Sequence, residues 1–113
     1  MATISGTMDS QGEGIVVATW AGMAGGDVGS KMKLASFSDK TVQAIGDATG
    51  VAIQGSNDGT NWFALTDPSG TTIALAGATF DMALIRENPL YIRPSVTGGS
   101  DTDVIIVGYT DWA

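Results

Sequence analysis

The chain has 113 residues, 12 acidic and 5 basic side chains, no histidine and no cysteine. That length fits one domain, and a domain this small buries a modest share of its surface and gains from a partner. Without Cys or His there is no disulfide, no Cys/His zinc site, no thiol nucleophile and no histidine-based triad or general base. An enzyme is therefore a poor reading of the composition, and no cofactor or metal is expected.

The formal net charge is −7. Counterion-release binding to nucleic acid needs clustered cations, whereas Lys31, Lys33, Lys40, Arg86 and Arg93 are scattered among the carboxylates. Neither nucleic acid nor an anionic membrane is an expected partner. Charged residues make up 15% of the chain, below the roughly 25% usual for soluble domains. A surface this poor in charge leaves room for a large protein contact.

In chain order, Met1 to Gly14 (MATISGTMDSQGEG) is polar and lacks the basic and apolar regions of a signal peptide. No apolar run is long enough to span a bilayer as a helix. Residues 1–14 read as a flexible N-terminal arm that stays mobile or orders on a partner, ahead of a β-sandwich domain over residues 15–113. Ile15 to Trp20 is a compact β-branched strand. Ala21 to Gly29 (AGMAGGDVG) reads as a long flexible loop, with Met23 and Val28 exposed for hydrophobic contact. Met32 to Phe37 alternates loosely. Asp39 to Ala48 could form a short helix with Asp39 as N-cap, but Gly46 and the β-branched residues argue for a strand.

Val51 to Gln54 is a short strand, and Asn61–Thr66 with Thr71–Leu75 look like the arms of a hairpin. Phe80, Met82 and Leu84 share a strand face. Leu90–Val96 and Val104–Tyr109 follow. Gly59 supplies the left-handed residue that an Asn-Asp-Gly turn needs. Asp67-Pro68-Ser69-Gly70 has the preferences of a type I turn. Pro94 places its strand at an edge or at a local irregularity. Val104–Val107, apolar on both faces, is a central strand or is covered by a partner. Short strands with turn signals between them predict an all-β fold, a single-domain antiparallel β-sandwich of jelly-roll or Ig-like type with about eight or nine strands.

Motifs for chemistry are weak. Gly22, Gly25, Gly26 and Gly29 precede Ser30-Lys31 in the wrong order and spacing for a phosphate-binding loop. Glu13 and Glu87 are the only glutamates, and most aspartates fall in turns, which is a poor start for a carboxylate pair. Asp101 and Asp103 in a Gly-rich loop lack the ligand pattern of an EF-hand. Trp20, Trp62 and Trp112 are the large anchors, the first two expected in or near the core. Trp112 either packs back on its own sheet or reaches a neighbour.

VAIQGSNDGTNW (51–62), LTDPSG (65–70) and ENPLYIRPSVTGG (87–99), in that order, resemble a set of small tailed-phage virion proteins of the capsid-decoration (cement, head-stabilising) type. The resemblance runs from Val51 to Val107. A shorter part, Gly55–Trp62 with Tyr91-Ile92-Arg93, resembles the discoidin-type jelly roll, whose relatives bind glycans or lipids. The phage resemblance implies a structural virion protein, made in the host cytoplasm and seated on the outer capsid surface. Its partners would be the major capsid protein and itself, as a homotrimer. The rival reading is a glycan-binding module of a phage tail or host-facing structure. Asn57, Asp58, Gly59, Trp62, Tyr91 and Arg93 are the expected turn and core determinants. Tyr91 and Arg93 share one strand face, where Arg93 could pair with a carboxylate. Ile4, Met8, Met23 and Trp112 are candidate capsid or subunit contacts.

Overall fold

The computed structural model describes residues 2–77 and 80–110. Among them there is no α-helix. Eleven strands run in the order β1 (Thr3–Ile4), β2 (Thr7–Gly12), β3 (Ile15–Met23), β4 (Val28–Gly29), β5 (Met32–Lys33), β6 (Asp39–Gly46), β7 (Gly50–Ser56), β8 (Phe63–Ala64), β9 (Met82–Ile85), β10 (Tyr91–Thr97) and β11 (Thr102–Tyr109). They form two packed sheets, so the chain is an all-β sandwich. One sheet has the order β1-β4-β10-β7-β8, with β5 also paired to β10; the other has the order β2-β3-β11-β6-β9. All pairings are antiparallel except β1 with β4.

Strand alternation places the core. Val16, Ala18 and Trp20 of β3, Val42 and Ala44 of β6, and Val104 and Ile106 of β11 point inward from the five-stranded sheet. Val51 and Ile53 of β7 and Ile92 and Val96 of β10 meet them from the other sheet. Trp20 is fully buried, and its indole N–H donates to the Ser30 carbonyl at 2.9 Å. Two glycines make room for it. A Cβ on Gly29 would lie 2.6 Å from the Trp20 ring and 2.5 Å from Pro94, and one on Gly6 would lie 2.6 Å from the indole nitrogen.

Several sequence expectations change here. Thr3–Ile4 and Thr7–Gly12, expected within a flexible arm, are strands: β1 borders one sheet and β2 borders the other. All six residues of β2 are exposed, so its place comes from backbone pairing with β3 and leaves no hydrophobic alternation to read. Ile4, expected as a surface contact, is half-buried and packs against the core. Met23, expected on an exposed loop, is fully buried at the end of β3. A bulge explains it. Thr102 faces Met23 while Val104 faces Trp20, so β3 carries one extra residue. Gly22, with φ of 68°, turns the strand so that Met23 points inward again. Trp112 lies outside the described residues.

Other readings fit the structure. Asp39–Gly46 is a strand rather than a helix. The Gly70 N–H donates to the Asp67 carbonyl at 2.9 Å, closing the Asp-Pro-Ser-Gly turn. Pro94 is a local irregularity inside a sheet. Val96, two residues on, bonds through both backbone groups toward the β4 side, so the nitrogen of Pro94 faces that side too. There the neighbouring strand breaks between Gly29 and Met32, where β4 ends and β5 begins, so no ladder donor is missing. Val104–Val107 lies in β11, the central strand of its sheet.

Two substitutions test this packing. Trp20→Ala should destabilise the domain by about 3–5 kcal/mol, the range for deleting a large core aromatic. Gly29→Ala should cost about 1–3 kcal/mol through overpacking alone. Urea unfolding followed by fluorescence for Gly29→Ala, and by circular dichroism for both, measures them.

Candidate functional site

The loop joining β7 to β8, residues 57–62, is built on Asp58. Its Oδ1 accepts from the backbone N–H groups of Thr60 and Asn61, both at 2.8 Å, and from the Ser56 hydroxyl at 2.9 Å. Its Oδ2 accepts from the Asn61 side-chain amide at 2.7 Å. These bonds, led by the Asn61 N–H, hold the Asp58 carboxyl far below the usual carboxylate range. Gly59 has φ of 77°, and a Cβ there would sit 2.8 Å from Lys31 Nζ and 3.3 Å from the Tyr91 ring. The positive φ is what requires glycine here, since the Lys31 amine lies at the end of a flexible side chain and can move aside. Asn57 accepts from the Leu90 N–H at 3.0 Å and ties the loop to the start of β10.

The structure therefore brings Asn57, Asp58, Gly59, Trp62, Tyr91 and Arg93 into one neighbourhood, as turn and strand neighbours. Two of them differ in role from the sequence reading. Trp62 is half-buried and outside the core cluster. It lies under the Arg93 guanidinium, 4.0 Å from the ring centroid. Arg93 donates from Nε to Gln54 at 2.8 Å, so a tryptophan and an amide take the place of the carboxylate partner expected for it. Desolvation by its surroundings lowers the pKa of Arg93. Lys31 and Lys33 lie over the Tyr91 ring at 4.8 and 5.9 Å. Three of the five basic residues thus stand on the outer face of one sheet.

On the other side of the 57–62 loop is an open cleft of about 460 Å³. It lies at the mouth of the sandwich, between the β8 edge and the 87–89 segment. Gly55 and Leu65 form its floor and Phe63 and Pro89 its apolar walls; Asn57, Asp58, Asn61, Glu87 and Asn88 supply the polar groups. Phe63 is 72% exposed. Burial pushes the Glu87 carboxyl up, but the hydroxyl and N–H of Thr66 outweigh it and leave the group below its usual value.

Lys40 holds the far wall. It is fully buried, and its amine donates to the Phe37 carbonyl at 2.8 Å and to the Asn88 side-chain oxygen. The Asn88 amide donates onward to the Ala35 carbonyl at 2.9 Å. Burial lowers the pKa of Lys40, and Asp39 opposes that shift. Sequence reading missed this lysine and Phe63. The inward phase of β6, read strictly, places Lys40 with Val42 and Ala44 and is the signal that could have found it.

The remaining candidates are spread out. Asp47 accepts from the Asp101 and Ser100 N–H groups at 2.9 Å, while Asp103 accepts from the Gly22 N–H at 2.9 Å. Among the described residues no group of three or more His, Cys, Asp or Glu side chains could hold a metal ion. Glu13 sits in a turn with φ of 56°. Met8 remains 43% exposed on β2.

No protein-family model and no curated protein sequence matches the chain. Its fold is similar to solved structures. The SPBc2 prophage-derived protein YomS superposes with a TM-score of 0.62 at 11% identity, over 85% of this chain and 95% of that one. An oxalate oxidase superposes with a TM-score of 0.51 at 12–13% identity, over 86% of this chain but 42% of that one. A double-stranded β-helix protein from Klebsiella pneumoniae gives a TM-score of 0.49 at 14% identity, over 96% of this chain and 74% of that one. At these identities the likeness is one of fold.

Gly59→Val should destabilise the domain by more than about 1 kcal/mol, because a β-branched residue resists positive φ; thermal unfolding checks it. Acid should act through the same turns. The carboxyls of Asp47, Asp58 and Asp67 are all lowered in the folded chain. Their contribution is present above the unfolded value near 3.8 and is lost as pH falls through the lower folded values. Melting temperature should be flat from neutral pH to about 5 and fall below about 4, with a shallower fall in Asp58→Asn.

Proposed function

We propose that this protein is a structural component of a bacteriophage particle, and specifically a decoration protein on the outer capsid surface. The observation that carries this reading is the outer face of the five-stranded sheet. Ile15 and Val17 of β3 pair with Tyr109 and Val107 of β11, and Ile105 lies beside them. Met82 and Leu84 of β9 extend the face across Gln43 and Thr41 of β6. Leu84 is 51% and Met82 57% exposed. The carboxylates of Asp9, Asp39 and Asp103 lie at the margins of these rows, and no charged residue stands between Val17 and Leu84 along theirs. Interface centres are depleted in charge in this way.

The fold likeness to a prophage-derived protein and the ordered SNDGTNW, LTDPSG and YIRP segments support the same reading. In it the major capsid protein is the partner and the chain acts as a homotrimer at a threefold position. Several identical weak contacts then engage together, and avidity exceeds any single one. A protein that binds only the assembled lattice stabilises it by mass action, without chemistry. The docking surface moves from the N-terminal segment and the Met23 loop to this sheet face, because Met23 is buried and residues 3–12 complete the sheets.

Light scattering of the purified protein should report a trimer, and the protein should co-sediment with particles that lack it. Leu84→Glu and Val107→Glu should leave the circular dichroism spectrum unchanged and weaken co-sedimentation at least about tenfold, since a buried unpaired charge costs more than 1.4 kcal/mol. A monomer that fails to co-sediment overturns the reading.

A further inference from the structure

We infer that the cleft bounded by Phe63, the 57–62 loop and the 87–89 segment is a binding site for a neutral carbohydrate, one or two pyranose rings in size. The inference does not rest on the particle reading, because the cleft and the apolar sheet face are different surfaces.

Size and shape come first. A volume of about 460 Å³ falls in the range of small-ligand sites, and the cleft is open enough to admit part of a longer chain. Phe63 follows. Its side chain is 72% exposed, and it borders this cleft. It is also held in place. Its backbone pairs with Gly55 on β7, and Gly55 has no room for a side chain, since a Cβ would lie 2.5 Å from Pro89 and 2.7 Å from Leu65. An exposed ring face matches the apolar C–H face of a pyranose.

The polar groups around the ring are fixed before any ligand arrives. Asp58 is locked by four bonds, Glu87 by Thr66, and Asn88 by Lys40 and Ala35. Asn57 is tied through its carbonyl to Leu90. Each lock uses part of the group's capacity. Among the described residues, the Asn57 NH₂, the Asn61 carbonyl and one or more lone pairs on Asp58 and Glu87 remain for hydroxyl groups. Rigid acceptors and donors of this kind keep the ordering cost of binding low. The same inventory selects against other ligands. Two carboxylates in a chain of net charge −7 disfavour phosphates and nucleotides. Among the described residues no group of three or more His, Cys, Asp or Glu side chains stands here to hold a metal ion.

The test is titration of the full-length protein with three neutral disaccharides, maltose, cellobiose and chitobiose, followed by amide chemical shifts in NMR. At least one should bind with a Kd of about 1 mM or tighter, with shifts confined to residues 55–65 and 87–90. Phe63→Ala should weaken that binding at least about tenfold and leave the melting temperature unchanged, because the ring is mostly outside the core. Phe63→Trp should retain it. No shifts with any of the three at about 50 mM, or binding unaffected by Phe63→Ala, overturns the inference. Co-sedimentation of Phe63→Ala with particles stays at the level of the parent protein, so failure here is distinguishable from failure of the particle reading.

Discussion

Trp20 is the contact on which both sheets depend. It belongs to one sheet, yet its indole N–H is satisfied by the Ser30 carbonyl in the segment between β4 and β5 of the other. A buried indole needs both a partner for its nitrogen and close packing on its faces. Gly29 and Gly6 provide the second by carrying no side chain where the ring lies. Three segments come together at the ring: β3, which carries it, the interrupted β4–β5 stretch beside β10, and the link between β1 and β2. This is why residues 2–12, though mostly polar, are part of the sandwich. Gly6 N–H donates to the Ser30 hydroxyl and Ala2 N–H to Asp27, so β1 is tied down at both of its ends.

The fold class was legible because β-branched runs and glycine turns recur at short spacing. Ser56–Gly59 and Asp67–Gly70 carry their own geometry in local side-chain bonds, and such turns can be read without knowing the rest of the chain. What was hidden depends on pairing at long range. β2 has no apolar face and is placed only by its ladder with β3. Met23 is buried because a bulge resets the phase of β3, and a bulge is defined by the partner strand. Lys40 occupies a core-facing position that a reader of polarity assigns to solvent; its amine finds Phe37 and Asn88 only when the 87–89 segment closes over it.

The candidate site shows the same division. Its residues could be grouped from the order of motifs, but the sides they face could not. From sequence, Trp62, next to Phe63, is expected in or near the core. In the sandwich the two adjacent aromatics lie on opposite sides of a thin edge strand, one beneath Arg93 and the other at the cleft. The 57–62 loop thereby separates a basic, aromatic surface from an acidic, amide-rich one within a few ångströms. A single rigid turn supports both, so a change in Gly59 reaches both.

The apolar sheet face with carboxylates at its margins has a consequence for how copies meet. Two molecules of net charge −7 repel each other before their uncharged centres can touch. The reach of that repulsion is set by dissolved ions, about 10 Å at 0.1 M salt and far longer in dilute buffer. Under the proposed docking, contacts through this face would therefore strengthen as salt rises, the opposite of a nucleic-acid binder that sheds counterions. With no histidine in the chain and the turn carboxyls held low, its charge hardly changes around neutrality. If this surface docks as proposed, ionic strength rather than acidity is the variable that would govern whether it is covered or bare.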